Sequence, residues 1–353
     1  MKAILYNKGG RANACVTEAP DPTVGDKDVL IRVYASDICR PADAAHDGGY
    51  SAFGKYPLVP GHEYAGIVEK VGKDVVRFQV GDRVTADANL PCGTCYYCIR
   101  GEVQFCENNR AYGQSLNGGF AQLVAVDESL VYKVPDSVSL RAASMTELVG
   151  CVYNCMERCN FKYGSEVLIL GGGASGNLIA QMVKSSNAAT VVVVDCVASK
   201  LERLKPIGVK TILADKDDPE VHEAVLKEQY PHGFDYIIDT TANPKLISRS
   251  LYLLKRGGTF VNYGFQNNVK VAEQVQIDMK LFVTRQLSYL GTTFQHFKFP
   301  QTLKAMEEKR VDPELAISEM RPLDDFFECM DKVLYDPETV KIVLEPNGSS
   351  EGM

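Results

Sequence analysis

The stretch Glu166-Val-Leu-Ile-Leu170, followed at once by Gly171-Gly-Gly-Ala-Ser-Gly176, decides the fold of this chain. Its first half is a short apolar run that predicts a buried strand, and after the glycines apolar residues recur at helical spacing. Glycines between a strand and a helix permit a tight turn, let backbone amides approach a pyrophosphate, and allow close helix–sheet packing. We therefore expect a dinucleotide to contact this turn through Gly171, Gly173, Ala174, Ser175 and Gly176.

Asp195 directly follows the next predicted strand, residues 191–194, and lies 19 residues after Gly176. A carboxylate at this distance is placed to bind the adenosine ribose hydroxyls and to repel a 2′-phosphate, which favours NAD over NADP. Lys200 and Arg203 follow closely, and their positive charges weaken that preference. NADP therefore stays open, and Lys200 is a further expected cofactor contact. The alternative is that Asp195 is an ordinary turn residue at a strand end.

The pattern of apolar and turn-forming residues changes along the chain. The first 150 residues contain short Val- and Ile-rich runs between Gly, Pro and Asp turns, which is typical of a β-rich domain. Strands predicted at 236–238 and 259–262 alternate with helical stretches and imply a parallel, doubly wound sheet. A last strand is predicted at 341–345. We predict an α/β protein with a β-rich domain (1–150), a dinucleotide domain (151–290) and a return to the first domain (291–353).

Composition limits the classes of partner. The 353 residues include 38 basic and 45 acidic side chains, a net charge of −7 that gives no support to nucleic acid or an acidic membrane as partner. The N-terminus lacks the apolar run of a signal peptide, and no stretch approaches the roughly 18 apolar residues of a membrane span. We expect a cytoplasmic protein with no membrane partner.

Four of the eleven cysteines crowd into fifteen residues: Cys92, Cys95, Cys98 and Cys106. Without a secretion signal, this clustering favours a metal over disulfides. Four thiolates in one polar loop suit tetrahedral zinc, and a closed set of this kind leaves no coordination position open for a substrate. We expect a structural zinc site. The alternatives are buried cysteines without a metal, or a zinc-ribbon interaction module.

Residues 61–84, GHEYAGIVEKVGKDVVRFQVGDRV, resemble the signature of the zinc-containing medium-chain alcohol and polyol dehydrogenases. The four-cysteine loop and the glycine-rich turn follow in the order of that family, so the resemblance covers essentially the whole chain. It implies a GroES-like catalytic domain plus a Rossmann domain. The branch it suggests contains sorbitol, xylitol and arabitol-phosphate dehydrogenases.

The resemblance also implies a catalytic metal site. Its expected ligands are Cys39, upstream of the signature, and His62 within it, with Glu63 as either a direct ligand or a carboxylate behind the ligands. Glu147 lies where the polyol branch has a further acidic ligand. Because carboxylates make this set harder than one with two thiolates, zinc is expected and manganese is an alternative. Such an ion lowers the pKa of a substrate hydroxyl.

Three positions depart from the family pattern. Pro41 stands where a Ser or Thr hydroxyl is usual, so the ordinary proton relay is absent. The family aspartate is displaced, because Ala42 occupies its position and Asp43 follows. Leu148 replaces the usual proline after Glu147. We hypothesise a substitute relay through Asp43, His46, Tyr50 or water.

The expected activity is reversible oxidation of a secondary alcohol of a polyol or polyol phosphate, such as arabitol phosphate, sorbitol or xylitol, with hydride transfer to NAD. A threonine, amino-alcohol or sugar dehydrogenase shares these motifs. A metal-free quinone or enone reductase would lack them, and a non-catalytic zinc-binding protein would be expected to lose ligands. The resemblance implies a homodimer or homotetramer. Four basic side chains are considered as phosphate holders, although each also fits an ordinary surface charge: Arg40, Lys55, Arg110 and Arg285.

Overall fold

The computed structural model describes residues 1–265, 275–295 and 297–353. Its strands are β1 (Lys2–Tyr6), β2 (Ala14–Glu18), β3 (Asp28–Asp37), β4 (Tyr64–Val71), β5 (Arg83–Ala86), β6 (Asn89–Leu90), β7 (Arg110–Ala111), β8 (Leu123–Asp127), β9 (Val131–Lys133), β10 (Glu166–Leu170), β11 (Thr190–Asp195), β12 (Lys210–Leu213), β13 (Phe234–Asp239), β14 (Leu254–Asn262), β15 (Ser288–Gly291), β16 (Glu319–Pro322) and β17 (Ile342–Glu345). Its α-helices are α1 (Arg40–Asp47), α2 (Tyr96–Ile99), α3 (Leu140–Ser144), α4 (Thr146–Cys159), α5 (Ala174–Lys184), α6 (Ala198–Glu202), α7 (Pro219–Gln229), α8 (Pro244–Ser250), α9 (Met279–Arg285), α10 (Phe299–Glu307) and α11 (Phe326–Tyr335).

The chain divides into two compact units. The first contains Met1–Gly150, Gln295–Lys309 and Ile317–Met353, and the second contains Cys151–Phe294 and Arg310–Ala316. The short segment Arg310–Ala316 thus belongs to the second unit, inside the stretch 291–353 that was predicted to lie wholly in the β-rich domain. Among the described residues, none of the helices combines the length and apolar character needed to cross a bilayer.

The second unit is built on a six-stranded sheet in the order β12-β11-β10-β13-β14-β15. Every neighbouring pair is parallel, from the β10–β11 pair to the β14–β15 pair. The central strands β10 and β11 carry uninterrupted apolar runs, and side chains such as Leu168, Val192 and Ile237 are fully buried, as expected for the middle of a sheet covered on both faces. The strand order reverses beside β10, which is where doubly wound sheets bind ligands. The predicted Rossmann class is confirmed.

The turn between β10 and α5 requires glycine at two positions. Gly171 has φ +98°, a conformation that side-chain-bearing residues rarely adopt. At Gly176, a Cβ would lie 1.9 Å from the carbonyl oxygen of Gly171. Gly176 therefore lets α5 start close against the strand, and its N-terminal amides remain at the end of β10.

The first unit is built on a seven-stranded sheet in the order β16-β17-β3-β4-β5-β9, with β8 also paired to β3. β3 is its longest strand and pairs antiparallel with three others, β4, β8 and β17. Val29, Ile31 and Val33 alternate along β3 and are buried in one core, which matches the period of two of a strand with one covered face. The predicted β-rich, GroES-like domain is confirmed.

We expect Gly176→Ala to lower the thermal stability of the protein, because the new methyl group collides with the Gly171 carbonyl. Overpacking of this kind costs about 1–3 kcal/mol. Gly173→Ala is the matched control, since nothing lies within 4 Å of a Cβ built there and its φ is −66°. Thermal unfolding of the two variants beside the wild type is the measurement. Equal midpoints for both variants would contradict the steric role of Gly176.

Candidate metal centres and cofactor turn

Three predicted ligands meet in the first unit. Cys39 precedes the first residue of α1, and His62 and Glu63 lie in the loop that enters β4. One ligand atom from each of Cys39, His62 and Glu63 lies within 4.8 Å of the other two. Gly61 shapes this loop: its φ is +92°, and a Cβ there would lie 2.7 Å from the backbone nitrogen of Phe120.

The donor set fits a divalent cation. Glu63 is fully buried, and its Oε1 lies 3.8 Å from His62 Nε2. Among the described residues this oxygen has no hydrogen-bond donor. Burial, and next the Glu63 carboxylate, raise the pKa of the Cys39 thiol well above its usual range. A cation removes both penalties, because it binds the thiolate and the lone pairs of the carboxylate together.

Two buried residues that were not predicted from the sequence, Lys341 and Asp37, lie near this ligand group. Lys341 Nζ donates a hydrogen bond to Glu63 Oε2, and Asp37 accepts one from the hydroxyl of Ser144 at 3.0 Å. Burial lowers the pKa of Lys341, but Glu63, Asp37 and Cys39 raise it more. Burial raises the pKa of Asp37, and the Lys341 ammonium opposes that rise. The available signal was a lysine at the start of the predicted apolar strand 341–345.

Helix α1 places Asp43 beside the ligands. Its Oδ2 accepts a hydrogen bond of 2.8 Å from the backbone amide of Cys39. Burial raises the pKa of Asp43 to about 6, while His62 and the amide of Cys39 act in the opposite direction. The extra residue between Cys39 and this aspartate therefore still leaves the carboxylate near the imidazole. Pro41 lies in the first helical turn, where its missing amide disturbs no helical hydrogen bond.

His46, in the last turn of α1, is buried, and only one of its two ring nitrogens has a hydrogen-bond partner among the described residues. Its Nδ1 lies 2.8 Å from the hydroxyl of the half-buried Tyr56. Its Nε2 is buried and has no hydrogen-bond partner among the described residues. Burial, and next the neighbouring His62, lower the pKa of His46 to about 4. The hypothesis of a relay through Asp43, His46, Tyr50 or water stays a prediction, with Tyr56 as an additional hydroxyl.

Glu147 lies in the first turn of α4 and is 8% exposed. It is not a member of the three-residue group formed by Cys39, His62 and Glu63. Its role as a fourth ligand therefore stays a prediction from the family resemblance.

The four cysteines of the loop 92–106 lie close together, as predicted. One sulfur from each of Cys92, Cys95, Cys98 and Cys106 lies within 4.8 Å of the other three. The Cys92 and Cys98 sulfurs are 4.0 Å apart, and those of Cys95 and Cys106 are 3.9 Å apart. Backbone amides of Thr94 and Cys95 lower the pKa of Cys92 to about 6. The set fits the closed tetrathiolate site of structural zinc.

The cofactor turn of the second unit is held by Asp195. Its Oδ2 accepts a hydrogen bond of 2.6 Å from the amide of Gly172, and its Oδ1 accepts one of 2.8 Å from Val197. Lys200 lies beside the same turn, with its Cβ 3.6 Å from a Cβ built at Gly172. Thr240, just after β13, donates from its hydroxyl to the carbonyl of Leu170 at 2.8 Å. The predicted contact residues therefore share the end of β10.

The structure also bears on the basic side chains considered as phosphate holders. Arg285 donates from its guanidinium to the carbonyls of Tyr252 and Leu254, so it has a structural role in the second unit. Arg40, Lys55 and Arg110 are exposed.

Comparisons with known proteins agree with this description. Residues 25–136 match the family described as alcohol dehydrogenase GroES-like domain, and residues 174–308 match the family described as zinc-binding dehydrogenase. The chain is similar to the D-altritol 5-dehydrogenase of Agrobacterium fabrum, with 31% identity over 97% of this chain and 98% of the relative. It is also similar to D-arabinitol dehydrogenase 1 of Uromyces fabae, with 29% identity over 98% and 97%.

Among solved structures, the chain resembles a protein from Sinorhizobium meliloti 1021 that was assigned as a zinc-binding dehydrogenase and solved with bound NADP. The TM-score is 0.88 and the identity 27%, over 98% of this chain and 99% of that chain.

We expect about two zinc ions per chain in the purified protein, one for each group of ligands. Cys39→Ser should leave about one ion with little change in thermal stability, whereas Cys106→Ser should lose one ion and unfold at lower temperature. Elemental analysis and thermal unfolding measure both effects. The exposed Cys15 offers the control, since Cys15→Ser should keep both ions. Retention of two ions by Cys39→Ser would contradict the first centre.

The buried His46 should make stability depend on pH. Its folded pKa of about 4 lies below the ordinary 6.5, so between these values the unfolded chain binds a proton that the folded protein excludes. Stability should therefore fall as pH drops from 6.5 to 4, by up to about 3 kcal/mol from this group. Urea unfolding across this range should show a shallower dependence for His46→Asn. The exposed His232 provides the control, because His232→Asn should keep the wild-type slope.

Proposed function

Because the chain belongs to the zinc-containing medium-chain polyol dehydrogenase family, we propose that it reversibly oxidises a secondary alcohol of a polyol to the ketose and transfers the hydride to NAD. It is an NAD(P)-dependent, zinc-dependent enzyme, as its relatives and the two cysteine-containing centres show. The observation that supports the proposed site best is the Cys39–His62–Glu63 group, in which His62 and Glu63 are buried and Cys39 is partly buried.

The residues of the first unit would hold the catalytic zinc. Cys39 and Glu63 supply negative charge and His62 supplies a neutral nitrogen, a mixed set that also suits manganese. When bound, the ion supplies a Lewis acid that makes a substrate hydroxyl acidic enough to lose its proton. Lys341 fixes the far oxygen of Glu63, so the near oxygen stays directed toward His62. Glu147 is proposed as the further acidic ligand.

The residues of the second unit would bind the dinucleotide. The amides at the start of α5 favour the pyrophosphate, and the absence of a Cβ at Gly173 allows its backbone to approach the phosphates. Asp195 is already fixed by the amides of Gly172 and Val197. Its carboxylate would accept hydrogen bonds from the adenosine ribose and repel a 2′-phosphate. These features support NAD as the preferred acceptor of hydride, with Lys200 at the side of the turn.

The proton released from the substrate needs an exit other than a hydroxyl at position 41. His46 has one buried nitrogen that is free to accept a proton and another bonded to Tyr56. Because the pKa of His46 is lowered to about 4, its imidazole is neutral near pH 7 and would pass a proton on rather than keep it. We include His46 and Tyr56 in the proposed route to solvent.

The substrate class is proposed from chemistry and from the relatives. Two relatives that match nearly the whole chain are named for free polyols, altritol and arabinitol. Arg285, one of the side chains considered for a phosphate group, is engaged with backbone carbonyls. We therefore propose an unphosphorylated pentitol or hexitol as the first substrate to test and a polyol phosphate as the second.

We expect zinc-loaded protein to reduce NAD with arabitol, xylitol, sorbitol or altritol, measured by the absorbance of NADH. The panel includes polyol phosphates and threonine, each with NAD and NADP, and each repeated with manganese. Cys39→Ser should lose at least about 100-fold in activity, because the ion that activates the hydroxyl is lost. Asp195→Ala should raise the KM for NAD more than it lowers kcat. Turnover of threonine alone would contradict the polyol assignment.

A further inference from the structure

A second turn lies beside the glycine-rich turn of the second unit. β13 neighbours β10 at the point where the strand order reverses, and it is followed by Asp239-Thr-Thr-Ala242, called the β13 turn below. The hydroxyl of Thr240 donates to the carbonyl of Leu170 at 2.8 Å, and a Cβ built at Gly171 would lie 2.5 Å from the same hydroxyl oxygen. A displacement of the β13 turn would therefore disturb the backbone against which the dinucleotide is proposed to bind.

The carboxylate of Asp239 organises the β13 turn. Asp239 is 0% exposed. Its Oδ1 accepts hydrogen bonds from the amide of Thr241 at 3.1 Å and from the hydroxyl of Thr241 at 2.6 Å, and its Oδ2 accepts one from the amide of Ala242 at 3.0 Å. Burial raises the pKa of Asp239, whereas these hydrogen bonds oppose the rise. An ionised carboxylate only accepts hydrogen bonds, so both of its oxygens match the donors that face them.

The residue held by Oδ2 has an unusual backbone conformation. Ala242 has φ +56°, in the left-handed region that residues with a Cβ rarely adopt. Gly264 supports the bend from the other side, because its amide donates to the carbonyl of Asp239 at 2.8 Å and a Cβ built on it would lie 2.6 Å from the nitrogen of Ala242. Such strain persists only where the surrounding contacts enforce it, and it is concentrated at ligand-binding sites.

We propose that Asp239 is a positioning residue for the dinucleotide: by holding Ala242 in the left-handed conformation, it keeps Thr240 against the glycine-rich turn and orders this part of the cofactor site before NAD binds. Because Asp239 is buried, it acts through the β13 turn. An ordered site binds more tightly, since less conformational entropy is lost on binding. The inference rests on the proposed function, because it requires that the dinucleotide binds at the end of β10.

The test is the affinity of the zinc-loaded, full-length chain for NADH, measured by the fluorescence of the bound nucleotide. Asp239→Asn keeps the shape of the side chain, but one oxygen becomes an NH2 group, so a donor faces a donor in a buried place. We expect the Kd for NADH to rise about 10-fold, the effect of one unsatisfied buried hydrogen bond. The KM for NAD should rise similarly, whereas the KM for the polyol and the zinc content should change little.

Asp235→Asn is the matched control for a general loss of stability. Asp235 lies in the same strand, and its Oδ2 accepts a hydrogen bond of 2.8 Å from the amide of Glu166 and pairs with Lys255. These contacts are at the amino ends of β10 and β13, opposite the proposed cofactor site. Both variants should unfold at lower temperature than the wild type, but only Asp239→Asn should bind NADH more weakly. Equal weakening by Asp235→Asn would overturn the inference.

A double variant tests whether Asp239 acts through Ala242. Glycine adopts a positive φ without a steric penalty, so Ala242→Gly should reduce the need for the carboxylate. We expect Asp239→Asn, Ala242→Gly to recover several-fold of the affinity for NADH that Asp239→Asn loses. No recovery would overturn the proposed route through Ala242.

Gly264→Ala decides the question if Asp239→Asn does not fold. Its methyl group would displace the β13 turn while the carboxylate stays in place, so the affinity for NADH should again fall. Gly291→Ala, at the end of β15, is the control and should keep the wild-type affinity, because nothing lies within 4 Å of a Cβ built there. A folded Gly264→Ala variant with wild-type affinity would contradict the inference.

The outcomes separate this inference from the proposed function. A wild-type chain that binds neither NADH nor NADPH would overturn both. A wild-type chain that binds NADH, with an Asp239→Asn variant of equal affinity, would overturn the role of Asp239 and leave the dehydrogenase assignment standing.

Discussion

The buried ion pair between Lys341 and Glu63 is the interaction on which the first unit depends. It joins residues 278 positions apart in the chain. Lys341 directly precedes β17 and Glu63 directly precedes β4, and β3 lies between these two strands in the sheet. Removing one partner of a buried pair typically costs about 3–5 kcal/mol, because the other charge is left uncompensated. The same pair sets the orientation of Glu63. Fold stability and metal chemistry therefore use one contact.

In the second unit, hydrogen bonds order the turn between β10 and α5, which is the proposed anion-binding site. Asp195 bonds to the amides of Gly172 and Val197, and Thr240 bonds to the carbonyl of Leu170. These contacts fix the backbone of the turn without using the α5 amides that a pyrophosphate needs. An ordered turn reduces the conformational entropy that cofactor binding must overcome.

Much of this arrangement follows from local sequence. The apolar runs and glycines predicted the parallel sheet, because its central strands are buried on both faces and the glycine-rich turn is encoded within a few residues. The four-cysteine centre was equally readable, since its ligands lie within one loop. Cys39 and His62 were found through a family resemblance. The contact between Lys341 and Glu63 was not found, because it depends on how β17 and β4 pair with β3, and no local pattern specifies the pairing of strands so distant in sequence. The contact of His46 with Tyr56 was missed for a similar reason, since it depends on the path of the loop after α1.

The contrast between the two cysteine-containing centres has a consequence for biosynthesis. The ligands of the four-cysteine centre lie between residues 92 and 106, so they are all available to a metal when less than a third of the chain has been made. The other centre includes Cys39, His62 and Glu63, but Lys341 enters only with the last strand of the sheet. During synthesis from the N-terminus, the structural ion can enter an unfinished chain, whereas the environment of the reactive ion is complete only at the end. The order of the residues in the sequence thus makes the four-cysteine centre complete early, whereas the buried partner of Glu63 is among the last residues made.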